Sequence, residues 1–270
     1  MSLNVLGASI LAADGGEGSG FQAPTPEEFY QPLIGSGDWA ITRPMVVLGL
    51  SVLLIAGFLV LTTRKRAIVP GKGQWVTEGA YGLVRNGLAR DIIGSHDFLR
   101  FVPLLFSLFS IILVNNLFGI IPPIQYPTMS RIGFPIALTL IVFVVYHAVG
   151  IKKNGVAGHI KHMIPPGLPK PIYVLIVPLE LLTYFVTRPL TLALRLFGNM
   201  FAGHMLLLLF ILGGEYMLIH GSFGLKFAGV GSFLLGLVLT AFEGLIEFLQ
   251  AYIFTLLAAT YIAGSLADEH

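Results

Sequence analysis

Three apolar stretches of this chain are each long enough to cross a bilayer as a single helix. Each has about twenty residues and contains no Lys, Arg, Asp or Glu. Twenty residues of α-helix are about 30 Å long, which matches the hydrocarbon thickness of a membrane. The predicted spans are residues 44–63, 101–121 and 132–151.

Residues 74–93 have a different pattern. Glu78, Arg85, Arg90 and Asp91 are interspersed among Trp, Tyr, Leu, Val and Ile. The segment is too polar to span a membrane and apolar enough to lie on its surface, which is typical of an interfacial amphipathic helix. We therefore predict such a helix over about residues 74–93.

The last hundred residues contain two long apolar stretches, at about residues 171–213 and 227–267. Each would be about 60 Å long as α-helix, roughly twice the hydrocarbon thickness. A steep tilt, a break into separate spans or an extension into water would accommodate this length, and the apolar ends argue against the last. Pro178 and Pro189 permit bends, so extra spans stay open on hydropathy alone. Residues 220–224 have a turn composition, which predicts a hairpin of the two stretches.

Basic residues follow the first and the third predicted span. A basic run, residues 64–66, ends the first, and four lysines follow the third. Lys and Arg are enriched in cytoplasmic loops, and these two loops fall on the same side when the spans alternate. We therefore predict residues 1–43 as an extracytoplasmic amino-terminal tail, residues 44–270 as a single membrane domain, and a cytoplasmic carboxy terminus.

The composition supports a polytopic, all-α membrane protein. The chain is 55% hydrophobic and 11% charged, whereas a soluble domain has about 25% charged residues. A net charge of +2 is too small to indicate a nucleic acid partner, and the absence of cysteine excludes a disulfide or a thiolate metal site. No P-loop, dinucleotide fingerprint or nucleophile elbow occurs, so we predict neither a cofactor nor an enzyme active site.

Arg195 stands out in the carboxy-terminal stretches, because residues 196–214 contain no charged residue. A guanidinium keeps its proton, and its cost at the centre of a membrane helix is about 2.5–3.5 kcal/mol on insertion scales. Such a charge normally faces a partner, water or an ion path, so Arg195 is the first candidate site residue. The structural alternative is an ion pair with Glu243 or Glu247.

The polar residues around Arg195 have helical spacing. Arg188, Arg195 and Asn199 share one helix face, and a second polar face consists of Glu243, Glu247 and Gln250. The predicted hairpin pairs three positions across its two helices, namely Arg195 with Gln250, Asn199 with Glu247, and His204 with Glu243. Arg195 and His204 are nine residues apart, about 180° around a straight helix. Either the helix bends, or Arg195 faces a third element outside the hairpin while His204 faces Glu243. We favour the second possibility.

These side chains indicate proton movement. A histidine and a carboxylate exchange protons near neutral pH, and a fixed arginine can hold a passing carboxylate ionised. Two other classes stay open on these residues, an independent secondary transporter with an arginine-centred site and a structural membrane anchor.

Other polar residues have simpler readings. An ion pair of Glu180 with Arg188 and an interfacial His147 are predicted, and Asn115 and Asn116 would join helices. His159 and His162 have the i, i+3 spacing of a weak metal pair, but a solvated basic loop is favoured, so we predict no metal site.

Three segments resemble the a subunits of F-type (rotary) ATP synthases of bacterial type. They are residues 194–204 (LRLFGNMFAGH), residues 249–257 (LQAYIFTLL) and, more weakly, residues 116–122 (NLFGIIP). The resemblance covers about residues 44–270. It implies two long, tilted carboxy-terminal helices that wrap along a ring of c subunits.

The resemblance also implies roles for particular residues. Arg195 would be the essential arginine that faces the carboxylate of the c-ring, with Gln250 near it. His204 and Glu243 would form the acid–histidine pair of the proton inlet, and Asn199 would lie beside that path. Glu247 matches no position of the motif, so its role in proton translocation is less certain.

The implied protein is a non-catalytic, ion-translocating subunit of the bacterial plasma membrane. It would provide two half-channels to the rotating c-ring and couple the proton gradient to ATP synthesis. Its partners would be the c-ring, b-type peripheral stalk subunits and the rest of the ATP synthase complex. The His204–Glu243 pair favours protons over sodium as the coupling ion.

Overall fold

A computed structural model describes residues 21, 24–25, 32–34, 41–64, 68–121, 124–164 and 169–267 of the 270-residue chain. This part of the chain is mainly helical. A short antiparallel pair, β1 (Pro32–Ile34) and β2 (Ile41–Thr42), precedes the first helix. The helices are α1 (Arg43–Thr63), α2 (Lys72–Gly82), α3 (Asp91–Ile93), α4 (Phe98–Ile120), α5 (Gly133–His162), α6 (Lys170–Leu182), α7 (Arg188–His220) and α8 (Phe223–Leu266), with π-helical turns at Leu83–Arg90 and Thr183–Thr187 and a 3₁₀ turn at Thr128–Ser130.

Five helical segments of the described residues are long and apolar enough to cross a membrane. They are α1, α4, α5, the continuous run of α6 and α7 over Pro171–His220, and α8. This confirms the prediction of a helical, polytopic membrane protein. Most of the predicted tail, residues 1–43, lies outside the described residues.

The run from α6 to α7 is a single continuous helical path. Pro189 has no N–H and would break a regular helix, but a π-helical turn, Thr183–Thr187, directly precedes Arg188 and carries the helix past it. At 1.5 Å per residue the 50-residue run is about 75 Å long, longer than the sequence indicated.

Helix α5 also extends beyond the predicted span, and it contains a sharp kink. Gly155 has φ +71° and ψ 171°, a conformation that residues with a Cβ rarely adopt. The last two turns, up to His162, therefore fold back instead of continuing along the axis of the span.

The amphipathic segment is helical from Lys72 to Ile93, where the sequence predicted a helix. Val84 and Leu88 are fully buried, whereas Arg90 and Asp91 are exposed. Its apolar side thus joins the protein core. Its position at a membrane surface stays a prediction.

The core lies where α4, α5, α7 and α8 meet. Its fully buried side chains include Leu105 and Ile112 of α4, Leu196 of α7, and Phe254 and Ile262 of α8. The outer faces of the same helices are apolar and exposed, as at Leu237 (71% exposed). Such an outer surface suits contact with lipid or with other membrane subunits.

Candidate functional site

Helices α7 and α8 form an antiparallel hairpin in which the backbones approach closely. The chain reverses between His220 and Phe223, inside the predicted turn. A Cβ on Gly229 would lie 2.9 Å from Leu218 Cγ and 3.0 Å from the Gly214 carbonyl oxygen, so the contact there requires glycine. The hairpin brings the polar residues of both helices together.

His204 and Glu243 lie at the same level of the hairpin, as the spacing predicted. A Cβ built on Gly203, the neighbour of His204, would be 2.7 Å from Glu243 Oε1. His204 is 7% exposed and Glu243 is 6% exposed. The absence of a side chain at position 203 leaves the space that the Glu243 carboxyl occupies.

The other two predicted pairs are wrong. Asn199 Nδ2 donates a hydrogen bond of 2.7 Å to Gln250 Oε1, so Gln250 faces Asn199 rather than Arg195. Glu247 instead turns towards α4, where its Oε1 would be 3.3 Å from a Cβ on Gly119. The offset between facing positions changes along the hairpin, so a constant register cannot hold for all three pairs.

Glu243 and Glu247 are buried carboxyl groups without donors. Glu247 is 3% exposed, and none of the four carboxyl oxygens of the two residues accepts a hydrogen bond from the described part of the chain. An isolated charged carboxylate in an apolar interior is very costly. Each group therefore requires either a proton or water, and both are features of a proton path.

Two asparagines join α4 to its neighbours near this site, as predicted. Asn115 Nδ2 donates to Ser51 Oγ of α1 at 2.8 Å. Asn116 Nδ2 donates to the Glu247 carbonyl oxygen of α8 at 3.3 Å. These bonds fix α4 beside the turn of α8 that carries Glu247.

Arg195 lies on the outer surface of the chain. Its side chain is exposed, whereas Leu192 (1% exposed) and Leu196 (0%) point into the core. Among the residues that the structure describes, no acidic side chain lies within ion-pair distance of Arg195. The structural alternative, an ion pair with Glu243 or Glu247, is therefore wrong, and the side chain is exposed instead.

Arg188 packs on aromatic rings. Its guanidinium lies 3.5 Å from the ring centroid of Tyr184 and 5.2 Å from that of Tyr261, which are cation–π contacts. The predicted ion pair with Glu180 is absent from the described residues. Tyr184 is one turn before Arg188, whereas Glu180 is two turns away with the π-helical turn between them.

A buried histidine pair was missed by sequence reasoning. The kink at Gly155 folds His159 back onto α5, where His147 Nδ1 and His159 Nε2 are hydrogen-bonded at 2.9 Å. Both rings are buried within the protein, and the interfacial position of His147 stays a prediction. Gly150 gives the pair its space, since a Cβ there would be 2.2 Å from His159 Nδ1. The glycines at 150 and 155 were the available signal.

No group of three or more metal-ligating side chains occurs among the described residues. In the pair described above, His147 Nδ1 and His159 Nε2 are hydrogen-bonded to each other. The side chain of His162, the second member of the weak metal pair, lies outside the described residues.

These features define a class, a polytopic membrane protein with buried ionisable side chains inside a helical hairpin and an arginine on its outer surface. The family model described as "ATP synthase A chain" matches residues 45–263. The chain is 48% identical over 266 residues to "ATP synthase subunit a" of Nocardioides sp., which covers 94% of this chain and 96% of the relative. It is 44% identical over 270 residues to the protein of the same name from Pseudarthrobacter chlorophenolicus, which covers 98% and 100%.

The chain belongs to the ATP synthase A chain family. Membership assigns it to the membrane sector of ATP synthase rather than to the catalytic part. It is a multi-pass membrane protein of bacterial type.

Proposed function

We propose that this chain conducts protons to and from a ring of c subunits through two half-channels that open on opposite sides of the membrane. The observation that carries the proposal is the pair of buried carboxyl groups, Glu243 at the level of His204 and Glu247 one turn further along α8, which have no hydrogen-bond donor from the described chain. Family membership favours this function over an independent secondary transporter.

The inlet half-channel would use the hairpin interior. His204 and Glu243 would pass protons from the outer side, since imidazole and carboxyl groups both exchange protons readily. Glu247 is one turn further along α8, and it would be the next carboxyl group on that path towards Gln250 and the ring.

Arg195 would separate the two half-channels. Its exposed guanidinium can attract the carboxylate of a passing c subunit and keep it ionised, which releases the proton on one side and prevents leakage to the other. The hydrogen bond between Asn199 and Gln250 lies one turn along the same helix and ties this face of α7 to α8.

The proposed partners follow from this arrangement. The c-ring would cover the face of α7 that carries Arg195, and b-type peripheral stalk subunits would hold the chain against the rotor. The amino terminus would be outside the cell and the carboxy terminus in the cytoplasm, in agreement with the basic loops.

The test is ATP-driven proton uptake into inverted membrane vesicles from cells whose only copy of this chain carries Arg195→Ala. We expect uptake to fall to background while the variant still co-purifies with the complex. Arg90→Ala removes an exposed arginine of the amphipathic segment and is the matched control.

Coupled uptake at the wild-type rate in the Arg195→Ala vesicles would contradict the proposal. Failure of the wild-type chain to co-purify with c subunits, together with transport that needs no ATPase, would instead favour the secondary transporter.

A further inference from the structure

The π-helical turn before Arg188 leaves one backbone carbonyl without a partner inside its own helix. The Arg188 N–H bonds to the Thr183 carbonyl, five residues back. The Tyr184 carbonyl would therefore need the N–H of residue 189, but that residue is proline and has none. A carbonyl without a donor inside an apolar membrane span costs free energy, so such a turn needs a donor from elsewhere.

Tyr146 of α5 supplies that donor. Its hydroxyl donates a hydrogen bond of 3.0 Å to the Tyr184 carbonyl oxygen, and its side chain is 2% exposed. The next residue, His147, stacks on Phe185 of the same turn with ring centroids 4.8 Å apart and planes at 12°. Two successive side chains of α5 thus hold two successive residues of the turn.

The turn determines which way α7 faces. A π-helical turn inserts about one extra residue into a helix, which rotates everything beyond it by about 100° relative to an uninterrupted α-helix. Arg195 is only eight residues beyond Thr187, where the turn ends. Relaxation of the turn to a regular helix would move Arg195 around the helix axis or displace α6.

We propose that Tyr146 is a positioning residue for proton transport. Its hydroxyl replaces the backbone donor that Pro189 lacks, keeps the turn at Thr183–Thr187 π-helical, and so holds Arg195 on the outer face of α7. This inference rests on the proposed role of Arg195. It assigns a task to α5, which contributes no side chain to the inlet described above.

The first variant is Tyr146→Phe, which removes only the hydroxyl. Its ATP-driven proton uptake is measured in inverted vesicles, as for Arg195→Ala. We expect the rate to fall by about fivefold or more, as for the loss of one buried hydrogen bond that positions a reacting group. Tyr81→Phe, at an exposed ring that contacts Phe106, is the control and should leave the rate unchanged.

Two unnatural side chains at position 146 test donation itself. Tyr146→4-aminophenylalanine restores a donor, and Tyr146→4-methoxyphenylalanine fills similar space but can only accept. We expect the amino variant to recover most of the wild-type rate and of the assembled complex, and the methoxy variant to recover neither. This comparison decides the question even if Tyr146→Phe impairs assembly.

A second background tests the link to the proline. Pro189→Ala supplies the missing N–H, so Tyr146→Phe should cost less than about twofold in that background if the hydroxyl replaces this donor. The unnatural variants decide the question if Pro189→Ala alone is inactive.

Wild-type transport by Tyr146→Phe, or equal rescue by the amino and methoxy variants, would overturn the inference. If Arg195→Ala still abolishes uptake in the same vesicles, the proposed function stands. If Arg195→Ala transports normally, the proposed function is contradicted, and the inference about Tyr146 is contradicted with it.

Discussion

Gly203 is a residue whose lack of a side chain has a direct consequence for chemistry. It lies on α7 beside His204, and the Glu243 carboxyl occupies the space that a Cβ would fill. A larger residue at this position would displace the carboxyl end of a flexible side chain without touching the backbone contacts of the hairpin. A substitution at position 203 can therefore affect proton transport without affecting assembly.

We expect Gly203→Ala to slow ATP-driven proton uptake by about tenfold, because a small displacement of a reacting group carries a large cost in rate. The added Cβ would lie 2.7 Å from Glu243 Oε1, so the carboxyl must move. Assembly should be preserved, since alanine is a better helix former than glycine. Gly231→Ala in α8 is the matched control, because nothing lies within 4 Å of its Cβ. An unchanged rate in Gly203→Ala would mean that the Glu243 carboxyl is not held in a critical position.

At the residue scale, helical spacing predicted one pairing across the hairpin and missed the others. The level of His204 and Glu243 followed from helical spacing and a turn. The Asn199–Gln250 bond and the position of Glu247 against α4 did not, because they depend on how two long helices roll against a third. The preference of Arg188 for tyrosine rings over Glu180 likewise depends on a local change of helix type.

At the scale of an element, the end of α5 is a folded unit rather than a frayed helix. The kink at Gly155 returns His159 to His147, and the Lys153 ammonium donates to the carbonyl of Leu266 at the end of α8. This end of α5 is therefore tied to the carboxy-terminal end of the hairpin.

Gly150→Ala should weaken this unit. Its Cβ would lie 2.2 Å from His159 Nδ1 and 2.3 Å from His159 Cε1, so the ring must leave and the bond to His147 is lost. We expect a loss of about 1–3 kcal/mol of stability, as for overpacking combined with a lost buried hydrogen bond. The measurement is the temperature at which half of the detergent-solubilised complex has lost this chain.

Gly57→Ala in α1 is the control for this experiment, since nothing lies within 4 Å of its Cβ. A dissociation temperature that is the same for both variants would show that the histidine pair contributes nothing to stability.

Element boundaries show what hydropathy can and cannot predict. Apolar length predicted the spans, because burial in lipid requires about twenty apolar residues. The extra lengths of α5 and of the α6–α7 run could not be predicted from hydropathy. They depend on a glycine kink and a π-helical turn, which leave the apolar content of the sequence unchanged.

At the scale of the molecule, the proposed orientation treats each of the five candidate spans of the described residues as one crossing. The run from α6 to α7 is one span in that arrangement, so Lys152 before it and Ser222 after it must lie on opposite sides of the membrane.

The chain has no cysteine, which permits a direct test of sidedness. Ser222 and Lys152 are both exposed. We expect a membrane-impermeant maleimide to label the Ser222→Cys variant in right-side-out vesicles and the Lys152→Cys variant only in inverted ones. Labelling of both variants from the same side would require an even number of crossings between them and would contradict the single span.

The outward position of Arg195 bears on how the complex is made. Before a partner covers it, the guanidinium faces lipid or distorts the bilayer locally, at a cost of about 2.5–3.5 kcal/mol on insertion scales. A copy of the chain without partners is therefore less stable in the membrane than an assembled one. The residue proposed to prevent proton leakage would thus also help to hold the chain in the complex, because its removal from the proposed partner would restore that cost.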